Sequence, residues 1–202
     1  MDSKMQTSLL LILGTVVMFG AFFFIYPARP DELAREQTLN LMTDTTLAKA
    51  GIVLGYGGAV AMMVGLWVVS RTMLMAGGAG ASYGNIAFVL FIALVASMIA
   101  RACIELGVTG ASGMTSGLLL FNIENAMAST TPLVMGVAMT LLGLGIYFAK
   151  NFHVGVGAIA IIAGVINIVR PFADNNNLDL AGLVGFGILA LAVGISKIRA
   201  SA

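Results

Sequence analysis

Apolar residues along this chain fall into six continuous segments, which short polar stretches separate. The segments cover roughly residues 7–26, 47–69, 83–105, 132–149, 154–169 and 178–196. A spanning helix needs about 20 apolar residues, in a range of about 17 to 25, and only the fifth segment falls short of that range. The segments lack the period-two alternation of a barrel strand. The pattern therefore predicts an all-α, polytopic membrane protein with six transmembrane helices.

The ends of these segments recur at a regular spacing. Arg29, Arg101 and Arg170 each lie at or just past the end of an odd-numbered segment, about 70 residues apart. Self-similarity at a fixed period indicates a repeated supersecondary unit. The alternative is that any six-helix chain of this length contains hairpins of similar size. We expect a single transmembrane domain over residues 1–202, built as three helical hairpins over about 7–69, 83–149 and 154–196.

Two of the connecting stretches are long enough to have structure of their own. Residues 106–130 are predicted to form a loop. This loop is either a lid over the outer ends of the third and fourth spanning helices, or a connection in which Leu118–Met127 is a short interfacial helix or a re-entrant segment. Thr131 and Pro132 follow as the predicted N-cap and first residue of the fourth spanning helix. Residues 31–42, in the most polar stretch, are predicted to form a short surface helix.

Composition makes lipid the main solvent of this chain. Hydrophobic residues make up 59% of it and charged residues 9%, whereas a soluble domain is about 25% charged. The net charge of +1 gives no basic field for nucleic acid. Cys103, expected to be buried, and His153, expected in an exposed turn, are too few for a zinc, haem or copper site. We therefore expect contact with the lipid bilayer, no nucleic-acid partner, and no metal or other cofactor.

The orientation of the chain rests on its basic residues. With the N-terminus inside, five basic residues lie on each side of the membrane, which is a tie. Arg101 and Arg170 are expected at helix ends rather than in free loops, and setting them aside leaves five against three. We therefore predict a multi-pass protein of the cell (inner, cytoplasmic) membrane with both termini in the cytoplasm.

Ionisable and amide side chains are concentrated at the predicted outer ends of the third and fifth spanning helices (helices 3 and 5 of the six predicted). Arg101 and Glu105 are four residues apart and share a helix face. Ionisable groups within a membrane are unfavourable and are often functional. The group is therefore either a ligand or ion site, or a set of ion pairs that tie the hairpins together, and Arg101 is expected to pair with an acid. This candidate polar cluster comprises Arg101, Glu105, Glu124, Asn167, Arg170 and Asp174.

Small residues spaced by four mark candidate helix-packing surfaces. Gly51 and Gly55 form one such stripe, and Ala181 and Gly185 form another. Small residues at this spacing let two helix backbones approach closely. The stripes predict packing either between helices of this chain or against a second membrane chain.

The last third of the chain carries a pattern of glycine, proline and apolar residues. An apolar run between Gly157 and Gly164 leads to Arg170-Pro171, and a second run after the turn contains Gly182, Gly185 and Gly194. This pattern resembles the HdeD-like family of short-repeat, acid-resistance membrane proteins. The resemblance implies six helices in repeated hairpins with a proline in the turn, and a role in membrane-associated stress or acid tolerance. It supplies no catalytic motif, and the middle hairpin departs from it, since Gly107 stands where the proline is expected and its loop is longer.

Two functions follow from these features. The leading one is a non-catalytic accessory or structural subunit that packs with itself or with other membrane subunits, because small-residue stripes are present and catalytic groupings are not evident. The alternative is a small transporter or channel that uses the polar cluster at the outer ends of helices 3 and 5. An enzyme is not expected, since no nucleophile–base pair or metal grouping stands out.

Overall fold

A computed structural model describes residues 3–29, 32–150, 152–173 and 176–199. Helices dominate this described part of the chain, which contains no strand. The helices are α1 (Ser3–Phe24), α2 (Ala34–Thr43), α3 (Thr45–Ala76), α4 (Ala81–Thr109), α5 (Met114–Ala149), α6 (Val154–Val169), which a 3₁₀ turn (Arg170–Phe172) extends, and α7 (Asn176–Arg199).

Six of the described helices are long and apolar enough to cross a membrane, namely all of them except α2. Their outer surfaces are apolar as well, with exposed side chains such as Val16, Ile92, Val137 and Ile188. A continuous apolar exterior of this kind is stable only against lipid. The predicted all-α polytopic membrane fold is therefore confirmed, and the chain is a multi-pass integral membrane protein.

The six spanning helices form a closed ring. Each packs on the next along the chain, and α7 packs back on α1. Neighbours run antiparallel, since Gly187 of α7 lies against Phe19 of α1, whereas Gly194 lies against Ser8. One end of the ring, where α1 begins and α7 ends, is called the basal face below. The opposite end is called the α2 face, because α2 packs there against α4 and α5.

Glycine lets the helices of the ring approach closely. A Cβ atom on Gly58 of α3 would lie 2.5 Å from the backbone nitrogen of Met18 in α1. A Cβ atom on Gly164 of α6 would lie 2.7 Å from the carbonyl oxygen of Gly136 in α5. Backbones this close leave no room for a larger residue and gain their stability from van der Waals contact.

The small-residue stripes of the sequence also lie at helix contacts within the chain. A Cβ atom on Gly51 would lie 2.9 Å from the Cα of Tyr26, and one on Gly55 would meet the ring of Phe22. Gly185 lies against Ala163 of α6 in the same way, and Ala181, one turn earlier, is half-buried. The three glycines therefore pack helix on helix inside this ring.

The basal half of the ring is filled with apolar side chains. Leu11, Leu66, Met139, Leu142 and Leu189, from four different helices, are fully buried. Close packing of such side chains leaves no space for water. The interior of the ring is therefore closed toward the basal face.

The predicted loop over residues 106–130 is wrong. Helix α5 begins at Met114 and runs unbroken to Ala149, so that Leu118–Met127 is part of it and Pro132 lies inside it. The Thr131 hydroxyl donates to the carbonyl of Met127, 3.0 Å away, and does not cap a helix. In an apolar surrounding, a continued helix satisfies the backbone groups that a loop would leave unpaired, and membrane helices tolerate proline.

Smaller predictions had mixed outcomes. The short helix expected over residues 31–42 is confirmed as α2, which buries Thr38 and Leu41. His153 is exposed, as expected, and its Nδ1 accepts from the backbone N–H of Gly155 as the N-cap of α6. Cys103, expected to be buried, is exposed on α4.

Candidate ligand-binding cavity

A cavity of about 430 Å³ lies inside the ring, in the half nearer the α2 face. Helices α1, α3, α4, α5 and α7 all contribute to its wall. Its apolar lining includes Met18, Phe22, Met63, Phe121, Met135 and Phe186. This volume and largely apolar wall are typical of small-molecule sites, which add a few placed polar groups for specificity.

An ion pair between α4 and α5 supplies the first polar group of the cavity. The Arg101 guanidinium donates to Glu124 Oε1 through Nε at 2.7 Å and approaches the same oxygen through Nη2 at 2.6 Å. The side chains are 15% and 6% exposed, so the pair is largely buried. The hydroxyl of Tyr56 from α3 donates to the same oxygen at 2.9 Å, and its ring lies under the guanidinium. Three helices therefore converge on one carboxylate.

A second carboxyl group, that of Glu105, lines the same cavity one turn along α4. Glu105 is 2% exposed, and its Oε1 accepts a hydrogen bond from the hydroxyl of Tyr26, which follows α1. Its Oε2 is buried and has no hydrogen-bond partner. Glu105 belongs neither to the Arg101–Glu124 ion pair nor to the Arg170–Asp179 ion pair.

The depth of this cluster follows from helix geometry. Tyr56 and Arg101 each lie about 30 Å along their helices from the basal end, at 1.5 Å per residue. The charged groups therefore lie in the half of the ring nearer the α2 face, and the cavity extends from them toward the apolar basal half.

The remaining members of the predicted polar cluster have other surroundings. Arg170 lies at the rim of the cavity and pairs with Asp179 at the start of α7. Asn167 lies outside the cavity wall and is fully buried, where its Nδ2 donates to the carbonyls of Ala163 at 2.9 Å and Gly182 at 3.1 Å. It therefore ties α6 to α7. Asp174 lies outside the described residues.

Sequence reasoning missed the two tyrosines of the site. The Tyr26 hydroxyl donates to Glu105 and the Tyr56 hydroxyl donates to Glu124. The ring of Phe22 contacts both tyrosine rings edge-on. A buried tyrosine hydroxyl requires a hydrogen-bond partner. The signal was therefore present in the sequence, as a tyrosine within an apolar segment for Tyr56 and at the end of one for Tyr26.

The donor set of the cavity does not form a metal-binding cluster. In the described part of the chain, no three His, Cys, Asp or Glu side chains come together in a group that could hold a metal ion.

Comparison of the chain with protein-family models, with curated proteins and with solved structures found no match. The resemblance to the HdeD-like family therefore stays a prediction.

Proposed function

We propose that this membrane protein is a carrier that takes a small solute from the α2 face into the cavity of the helix ring. One observation carries the proposal, namely a partly open space of about 430 Å³ inside an otherwise apolar ring, lined by Arg101, Glu105 and Glu124. Ionisable side chains are unfavourable in such a position, and they mark substrate and ion pathways in membrane proteins.

The packing of the basal half favours a carrier over an open channel. Below the cavity, Leu11, Leu66 and Met139 are fully buried and close the interior. A site that opens to one face while packed side chains close the other is the arrangement of a carrier in one of its states. Release at the basal face then requires the helices to move apart there.

The accessory-subunit role stays a separate prediction. Its sequence argument was the small-residue stripes, and Gly51, Gly55 and Gly185 pack against helices of the same chain. The stripes are therefore not evidence for packing against a second membrane chain, whereas the cavity supports the proposal of solute binding. The two roles differ in whether the purified protein alone binds a small molecule.

A series of three isosteric probes tests solute binding. Benzamidine, benzamide and benzoate share a phenyl ring and a planar head, and they are cationic, neutral and anionic at neutral pH. Binding of each to the purified protein is measured by calorimetric titration. Ala128→Trp is expected to abolish that binding, because Ala128 lines the cavity between Glu124 and Pro132.

Ala126→Trp is the matched control, since Ala126 is exposed on the same helix and does not line the cavity. The proposal expects at least one probe to bind the wild type and the control but not Ala128→Trp, and the same probe to enter proteoliposomes. If no probe binds, or if Ala128→Trp binds as the wild type does, the carrier proposal is wrong.

A further inference from the structure

We propose that the solute is a small organic cation with an N–H donor on an aromatic or apolar body, held by the carboxylate of Glu105. This inference rests on the proposed function and names its substrate class. Three features assign the chemical class of the solute: the unpartnered oxygen of Glu105, the charge balance of the cluster and the aromatic wall of the cavity.

One carboxyl oxygen of the cavity wall is an acceptor without a donor. Glu105 is 2% exposed, lines the cavity, and has one buried oxygen without a hydrogen-bond partner. A buried acceptor left unpaired is unfavourable by about 1–3 kcal/mol, and by more when it is charged. Tyr26 already occupies the other oxygen, and no described side chain donates to this one, so a bound molecule can supply the missing donor.

The formal charges of the cluster leave a place for a cation. Arg101 is the cation that faces Glu124, and both of its contacts to that residue are on a single carboxylate oxygen. Arg170 at the rim is paired with Asp179. One arginine therefore balances one of the two buried acidic side chains, and a positively charged head beside Glu105 would stabilise the ionised form of that carboxyl group.

The wall of the cavity favours an organic cation over a metal ion. Phe22, Tyr26, Tyr56 and Phe121 surround the space beside Met18 and Met63. Aromatic faces attract ammonium and guanidinium groups, as the Arg101–Tyr56 contact already shows within this site. A hard metal ion instead takes six or more oxygen ligands, as Ca²⁺ and Mg²⁺ do. Here the acidic oxygens lie in two separate groups, each with its own tyrosine.

The same three probes test this inference. The wild type is expected to bind benzamidine at least about tenfold more tightly than benzamide, and benzoate least, because only the amidinium makes charge-assisted bonds to a carboxylate. Glu105→Gln keeps the shape and the acceptor for Tyr26 but removes the charge. It is expected to reduce benzamidine affinity about tenfold or more and to leave benzamide affinity unchanged.

Glu36→Gln is the matched control, since it makes the same change from a carboxylate to an amide at an exposed position of α2 and does not line this cavity. It is expected to keep wild-type affinity for benzamidine. The thermal unfolding temperature of each variant is measured beside its affinity, and Glu105→Gln is expected to unfold at or above the wild-type temperature, so that lost binding does not reflect lost fold.

The outcomes separate this inference from the proposed function. If benzamide or benzoate binds more tightly than benzamidine, with Ala128→Trp still blocking, the carrier proposal stands and the cation inference is overturned. The cation inference is also overturned if Glu105→Gln binds benzamidine as the wild type does. If Ala128→Trp fails to block any probe, both proposals fail together.

Discussion

Replacing Arg101 with methionine is expected to destabilise the folded ring by about 3–5 kcal/mol, the range for breaking a buried ion pair by removing one partner. Methionine occupies similar apolar volume, so the main change is that the Glu124 carboxylate is left buried without its cation. This destabilisation is large for an ion pair because the two side chains are only 15% and 6% exposed and the shortest contact between them is 2.6 Å.

A double-mutant cycle isolates the pair from other effects. Glu124→Met leaves Arg101 unpaired and removes the acceptor of Tyr56, so it is also expected to destabilise. The double variant removes both charges and is expected to be more stable than the sum of the two single changes predicts, by at least about 1 kcal/mol. Free energies of unfolding are measured by detergent titration in mixed micelles, followed by circular dichroism.

Arg170→Met is the control for this cycle. Its partner Asp179 has a side chain that is 50% exposed, and exposed pairs contribute only about 0–1 kcal/mol. Two results together would refute the reasoning that the cavity pair is buried and coupled. The losses in free energy of unfolding for Arg101→Met and Glu124→Met would be strictly additive, and Arg170→Met would lose as much as either.

Three further changes test the packing of the ring through the free energy of unfolding. Gly58→Leu is expected to destabilise by more than about 3 kcal/mol, since its backbone touches α1, whereas Gly57→Leu meets open space and is expected to be near neutral. Asn167→Leu removes the bond to the carbonyl of Gly182 and is expected to lower stability by about 1–3 kcal/mol; an unchanged value would mean that this bond does not tie α6 to α7. His153→Ala removes the N-cap of α6 and is expected to lower stability by about 0.5–2 kcal/mol, while equal stability would show that the cap is unimportant.

The spanning helices were predictable from the sequence because lipid removes the alternatives. An apolar run in the bilayer must satisfy its backbone internally, so a helix is the only outcome for a segment such as Val154–Val169. The same rule explains the error at α5. Thr131 and Pro132 carry a helix-start signal that holds in water, whereas in the protein the helix had already begun at Met114.

The members of the site were only partly predictable. Arg101, Glu105 and Glu124 were found because charge is rare in this chain and therefore conspicuous. Their pairing was not determined, since it depends on which faces of α4 and α5 meet across the ring. Tyr26 and Tyr56 were overlooked because a tyrosine in an apolar segment also suits a lipid interface.

The function of the small-residue stripes could not be read from spacing alone. Gly55 and Gly185 satisfy the same four-residue rule whether their partner is a helix of this chain or of another. The closed ring decides the question for these glycines, because α3 packs on α1, and α6 on α7. Ring closure is a long-range property, and it depends on the contact between the first and last spanning helices.

Thiol accessibility at two adjacent positions of α7, measured in lipid nanodiscs, tests whether water reaches a cavity inside a lipid-embedded ring. In a Cys103→Ser background, Leu183→Cys places a thiol in the cavity wall, and Val184→Cys places one on the outer surface, where Val184 is 37% exposed. A charged, membrane-impermeant methanethiosulfonate reagent requires both water and a thiolate. Leu183→Cys is expected to react at least about tenfold faster than Val184→Cys, because water reaches the cavity and lipid covers Val184. Equal rates, or faster labelling at Val184→Cys, would contradict a water-accessible cavity inside a lipid-embedded ring.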